Sequence, residues 1–156
     1  MPTGTHIAET QDALEKLLAS KLPGVTVRGL TGGDFEEETG RLIVAPPAVL
    51  VVLTREDLES RRDHMALTYQ SAQRFQIICG GKSLRTDAEG RVLALELLSK
   101  VCDVLAGARL TLNSSTQQPI VRLQSGVSLG QLDQEDVWYA LPIAVESVAQ
   151  FSANAT

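Results

Sequence analysis

LPGVTVRGLTGGDFEEETGRLIVAPPAVLVVL, residues 22–53, holds a helix stop, a short strand, an acidic turn, a double proline and an apolar strand in one run. Pro23-Gly24 ends the preceding helix, because proline lacks an amide donor and glycine accepts the left-handed φ of a C-terminal cap. Val25 and Val27 alternate with Thr26 and Arg28, the period-two pattern of a short strand. Gly32-Gly33 breaks the chain. Asp34, Phe35, Glu36, Glu37 and Glu38 then read as the opening of a short helix, since carboxylates complement the positive end of a helix dipole. Gly40 limits its length, and Pro46-Pro47 ends the connection. Ala48 to Leu53 is apolar throughout, as in a strand buried on both faces. The stretch contains no set of residues able to do chemistry, which points to a part that is assembled rather than to an enzyme.

Upstream, Thr5 caps a helix running to about Lys21, with Ile7, Leu14, Leu17, Leu18 and Leu22 on one stripe. Downstream, Thr54-Arg55-Glu56-Asp57 reads as a helix cap followed by a charged turn through Arg62. Asp63 to Gly80 is the longest strand-like stretch, with Leu67, Tyr69, Phe75, Ile77 and Cys79 on one parity and Ser71 and Gln73 interrupting that face. It exceeds the usual strand of about five or six residues. Either a bulge near Ser71–Gln73 bends it, or part of it pairs outside its own domain. Thr86-Asp87-Ala88-Glu89 is a capping box. It opens a helix to Ala106, stopped by Gly107, whose leucines and valines cover more than one face. Leu110 to Pro119 reads as a polar connection and Ile120 to Leu123 as a strand. Leu129 to Asp136 reads as another polar turn, and Val137 to Val145 as a last strand that Pro142 places at a sheet edge or a bulge.

The 156 residues predict one domain, 1–156, frayed from about residue 150. The element order predicts an α+β fold: a mostly antiparallel sheet with one main helix packed on it, plus an N-terminal helix. Net charge is −5, against the basic excess that phosphate neutralisation requires of a tight nucleic-acid binder. No apolar run nears the ~20 residues of a membrane span, and the N-terminus has no signal-peptide pattern. Cys79 and Cys102 lie in apolar contexts and read as buried free thiols of a reducing compartment.

No motif for catalysis or metal binding survives inspection. Gly80-Gly81-Lys82-Ser83 resembles the end of a phosphate loop, but the pattern needs glycine where Gln76 stands, and the helix is expected only from Thr86, so its amides would not face a phosphate held by Lys82. It reads as a hairpin-like turn. His6 and His64 are near element starts; one histidine makes no structural zinc site, and Ser60–His64 falls in a charged solvated turn. Asp34, Glu36, Glu37 and Glu38 lack the spacing of a calcium loop and read as a solvated helix start, or as an acidic surface facing DNA without gripping it. Trp138 and Tyr139 point to opposite sheet faces, so Trp138 either anchors an interface or lies under a helix.

The N-terminal helix with its Leu22-Pro23-Gly24 stop, Gly33-Asp34-Phe35-Glu36-Glu37-Glu38 and Pro47-Ala48-Val49-Leu50-Val51 resemble the small tail-completion proteins of Mu-like phages and prophages. Gln73-Arg74-Phe75-Gln76-Ile77, Glu89-Gly90-Arg91 and the leucine-rich helix continue the likeness, from about Ile7 to Ala106. The resemblance implies a non-enzymatic tail terminator without cofactors. Such a protein forms a homohexameric ring that caps the tail tube, ends its polymerisation and meets the head–tail connector of the neck, with the tail sheath as a further neighbour. It is a virion component assembled in the host cytoplasm, and DNA passes through its channel without lasting contact. The charged segment at Thr54 to Asp63 reads as a family-variable insertion. Under this reading Thr54, Arg55, Glu56, Arg61, Arg62, Tyr69, Gln73, Phe75 and Trp138 are the expected subunit-interface residues. Asp34, Glu36, Glu37 and Glu38 are the expected lumen-facing acids. The alternatives are another neck component, or a small nucleotide-binding protein or hydrolase using the Gly81-Lys82-Ser83 turn.

Overall fold

In the computed structural model, which describes residues 3–60, 68–82, 93–112, 118–132 and 136–150, the apolar run after the double proline is only the start of a longer strand. This strand, β2 (Ala48–Ser60), follows α1 (Thr3–Lys21), β1 (Thr26–Gly29) and a 3-10 turn at Gly32–Asp34. Then come β3 (Thr68–Lys82), α2 (Ala94–Leu105), β4 (Ile120–Leu123), β5 (Ser128–Leu132) and β6 (Asp136–Gln150). The sheet order is β1-β2-β3-β6-β4, with β5 also on β6. Among the described strands β1 and β2 run parallel and the other strand pairs are antiparallel. The fold is therefore α+β.

Both helices lie on one face of the sheet. Leu14, Leu18 and Leu22 of the N-terminal stripe and Leu97, Val101 and Leu105 of α2 close over Val49, Val51, Phe75, Ile77, Cys79, Leu141, Ile143 and Val145. Fully burying a leucine or valine is worth ~1.5–3 kcal/mol, so this layer supplies most of the driving force. Leu98, Cys102 and Val104 are half-buried against the same core, beside Leu17. The second apolar side of α2 is thus met within the chain. Gly24 and Gly107 take φ of 79° and 70° at the two helix ends, as the stop signals predict.

Several local readings are corrected. Residues 54–60 are strand, not a helix cap and charged turn: β2 stays in register with β3 as far as Ser60↔Tyr69. The irregularity lies in β2, where the register shifts between Leu53 and Arg55, not in β3 near Ser71–Gln73. Thr54 is the extra residue, and its hydroxyl donates to the Arg74 carbonyl at 2.9 Å. All fifteen residues of β3 pair with β6, so that strand is completed inside its own chain. Asp34 to Glu38 opens no helix. Asp34 ends the 3-10 turn, and a tight reversal follows, with the Gly40 amide donating to Glu36 O at 2.8 Å and Phe35 bridging Leu42. The helix expected from Thr86 begins at Ala94 among the described residues; the capping box itself lies outside them, as do residues 63–67 of the expected long strand. The polar turn expected from Leu129 contains β5. Pro142 sits inside the sheet, opposite Gln76, at the gap on β6 between β5, which ends at Ala140, and β4, which begins at Ile143. Its carbonyl accepts from the Gln124 amide there. Its missing N–H faces the same side, where no strand needs it.

Among the described residues the opposite face of the sheet is covered at one end only. Leu30, Leu42 and Val44, from the connection between β1 and β2, pack on Ala48, Leu50, Ile78 and Trp138. Gln131 of β5 clamps this strap, accepting from the Leu42 amide at 2.9 Å and donating to its carbonyl at 3.2 Å. Trp138 is 1% exposed and lies flat over Gly80. A Cβ added at Gly80 would meet ring atoms Cε3, Cδ2 and Cζ3 of Trp138 inside van der Waals contact. Gly80→Ala is therefore expected to destabilise the chain by ~1–3 kcal/mol, an overpacking cost. A lowered denaturant midpoint, together with a red-shifted emission of this sole tryptophan, would show it.

Candidate functional site: an assembly surface

The strap and the sheet end beyond it hold most of the residues singled out by sequence. At the strap's root, Asp34 is buried. Its carboxylate accepts both ends of the Arg28 guanidinium, with Nη1 to Oδ2 at 2.7 Å and Nη2 to Oδ1. It also accepts from the Thr31 amide at 2.8 Å and the Thr31 hydroxyl at 3.1 Å. The Arg28 hydrogen bonds, then the Thr31 amide, hold the Asp34 carboxyl far below the usual carboxylate range. The pair with Asp34 raises Arg28 in turn. Asp34 is therefore an internal anchor, not an exposed lumen acid. Glu36, Glu37 and Glu38 remain exposed at the strap's tip.

Past the strap, the outer face of β2, β3, β6 and β4 carries alternating charge. Arg55 and Arg74 both contact Asp57, at 3.0 and 2.6 Å, and Arg122 contacts Glu146 at 2.7 Å. The Arg74 hydrogen bond is the main cause of a lowered Asp57 pKa. These groups are a third or more exposed, so solvent screens them and they add little stability. On the helix side of the same strands, Glu56 accepts from Ser71 Oγ at 2.9 Å and Gln73 Nε2 at 3.2 Å.

Thr54 and Arg55, of the expected interface set, are exposed, while Glu56 and Tyr69 are half-buried. Gln73, Phe75 and Trp138 are buried at 1% exposure, so they serve the core and not a free surface. Gln73 and Phe75 face the helix layer, and the strap, not a helix, covers Trp138. Arg61 and Arg62 lie outside the described residues, as do His64, Ser83 and the side chain of His6. Lys82 is held by Asp136 at 2.8 Å, an ion pair joining the ends of β3 and β6. Cys79 and Cys102 are free thiols. Burial pushes Cys79 up to about 12 and raises Cys102 as well, which keeps both from acting as thiolate nucleophiles. Among the described residues no three metal-ligating side chains gather, and no helix is long and apolar enough to cross a membrane.

Sequence reasoning missed the exposed apolar edge. Val127, Leu129 and Leu132 are 45, 55 and 63% exposed. Leu129 and Leu132 share a face, opposite Tyr139 and Val137, because the register slips between Leu129 and Gln131. Their three-residue spacing hides the strand period of two. On the same face but at the opposite edge of the sheet, Leu58 is 44% exposed on β2.

Among the described residues the sheet thus has one helix layer and a partly covered second face. The chain matches the sequence model of the family described as Bacteriophage Mu, Gp37 over residues 6–134. Its fold resembles a chain in the virion of a native gene transfer agent particle, with a TM-score of 0.54 at 18% identity, covering 92% of this chain and 97% of that one. No curated protein matches by sequence. The class is that of a phage structural protein. The chain belongs to the Bacteriophage Mu, Gp37 family.

Replacing Asp34 by Asn should lower the unfolding midpoint at neutral pH, because Arg28 loses a charged partner. Asp34 titrates lower when folded than unfolded. The stability it contributes is therefore complete above the ordinary carboxylate range and fades as pH falls through its depressed folded value. The gap in midpoint between wild type and variant should accordingly narrow on acidification; a gap that stayed constant or widened would remove the ion pair as its cause.

Proposed function

We propose that the chain is a phage tail terminator. It forms a homohexameric ring on the end of the tail tube, stops tube polymerisation and presents a surface to the head–tail connector. The observation that carries this reading is a sheet left open at opposite sides. Among the described residues β1 covers β2 only from Ala48 to Val51, and β5 pairs on one side only, with β6. A head-to-tail contact between unlike surfaces is what a cyclic ring requires. Membership of a phage structural family supports the virion setting, with assembly in the host cytoplasm and the tail sheath as a neighbour. In this reading the protein is not an enzyme. Lys82 serves as a structural ion-pair partner, and Glu36, Glu37 and Glu38 line the channel, where like charge keeps DNA sliding. The surface residues Thr54 and Arg55, with Glu56 and Tyr69 beside them, belong to the subunit contact.

Light scattering should give a mass about six times the 16.8 kDa chain, alone or on adding tail tubes, and tubes polymerised in its presence should stop at a defined length. Rings that leave tube length unlimited would move the protein elsewhere in the neck. A persistent monomer with tubes growing unchecked would end the terminator reading, and loss of an activity in Lys82→Ala would replace it with an enzyme.

A further inference from the structure

We propose that the ring is closed by strand addition: β5 of one subunit pairs antiparallel with residues 52–60 of β2 in the next, so one sheet continues around the ring. The inference rests on the ring reading and names the contact that makes it.

Direction comes first. β3 runs antiparallel to β2, β6 antiparallel to β3, and β5 antiparallel to β6. Rotation about a ring axis preserves strand sense, so β5 meets the next β2 antiparallel, with its main-chain bonds perpendicular to the strands. Space comes second. Beside β2, β1 stops at the level of Val51, and among the described residues no strand pairs with this edge past the Thr54 bulge. The segment Ser128–Leu132 is five residues long and fits within that stretch. Side-chain chemistry comes third. Residues 124–132 carry no ionisable group, and β5 bears two exposed leucines. An uncharged apolar edge is one that invites pairing. Leu129 and Leu132 lie on the helix side of the sheet, as does Leu58. Continuing the sheet therefore brings the three together and removes them from water. A two-fold contact of β2 with itself centred on Asp57 would instead set Asp57 against its own copy, leave the leucines of β5 in water, and close a dimer in place of a ring.

The two edges are offset along the strands. Leu129 lies level with Tyr139 and Cys79, whereas Leu58 lies level with Ser71. Eight positions along β3 separate these levels, a step of about 27 Å. Successive subunits are therefore staggered, and the strands tilt against the ring axis as in a closed barrel.

The test is the double variant Leu129→Asp, Leu132→Asp in the full chain. Both side chains are exposed, so circular dichroism and Trp138 emission should stay as in wild type. The concentration for ring formation should rise at least about tenfold, since charge on an edge blocks pairing. A second variant, Leu58→Cys with Leu129→Cys, should give under mild oxidation a disulfide-linked ladder reaching the full ring. Wild-type rings that the Asp variant forms equally well would overturn the strand pairing and leave the ring. Cross-linked products that stop at dimers would overturn it in favour of a two-fold contact. A wild type that stays monomeric even on tail tubes would overturn both.

Discussion

Fifteen residues of β3 lie antiparallel to fifteen of β6 in unbroken register, from Thr68↔Gln150 to Lys82↔Asp136. Every other part of the protein is placed by that ladder. β2 adds to one side of it, and β4 and β5 add end to end on the other. The helices cover one face where Phe75, Ile77, Leu141 and Ile143 point up, and the strap covers the other where Trp138 lies over Gly80. A slip of one residue would turn each of these side chains to the wrong face. The ion pair between Lys82 and Asp136 ties the last rung. Gly80-Gly81-Lys82, expected as part of a hairpin-like turn, is strand, and the lysine is accounted for by its partner across the ladder.

The ladder also explains which parts of the fold were legible. Strong one-face periodicity survives tertiary context, so the end of α1, its Pro-Gly stop, β4 and the Gly107 stop stand where the sequence puts them, while α1 starts at Thr3, which places Thr5 inside the helix and not at its cap. Thr54-Arg55-Glu56-Asp57 misleads because its cap chemistry is real but weak; a threonine cap is worth about 1 kcal/mol. Pairing with residues 69–74 of β3 outweighs it, and Thr54 becomes a bulge whose hydroxyl bonds the strand opposite. The slip between Leu129 and Gln131 does the reverse, hiding a strand inside what looks polar. Pro142 points to an edge in sequence because a lone strand cannot show that its neighbours on one side are two short strands with a gap between them.

Charged residues were harder to place than apolar ones, and for one reason. Asp34, Glu36, Glu37 and Glu38 look alike in a row, yet only Asp34 finds Arg28 and the Thr31 amide, and it alone is buried. Partners decide the role of a carboxylate, and here they are Arg28 on β1 and Thr31 just past it, brought to Asp34 by the 3-10 turn. Likewise, Ser71 and Gln73 interrupt an apolar parity and read as a site of bending. They are buried because Glu56 reaches across from β2 to bond them, which also makes them poor candidates for contact with another subunit.

The proposed closed ring would need edges that are open to the right partner and poor templates for the wrong one. β2 past Val51 carries Arg55, Asp57 and Glu59 and a bulge, the devices by which natural sheets discourage indiscriminate pairing. β5 is short and uncharged, so by itself it offers few main-chain groups to a stray strand, and its apolar side chains need a complementary surface to be worth burying. In the proposed ring neither edge suits a copy of itself as well as it suits the other: β2 would set Asp57 against Asp57, and β5 is limited by its length. Such an asymmetry would favour unlike contact, and unlike contact through a fixed rotation is the geometry that closes.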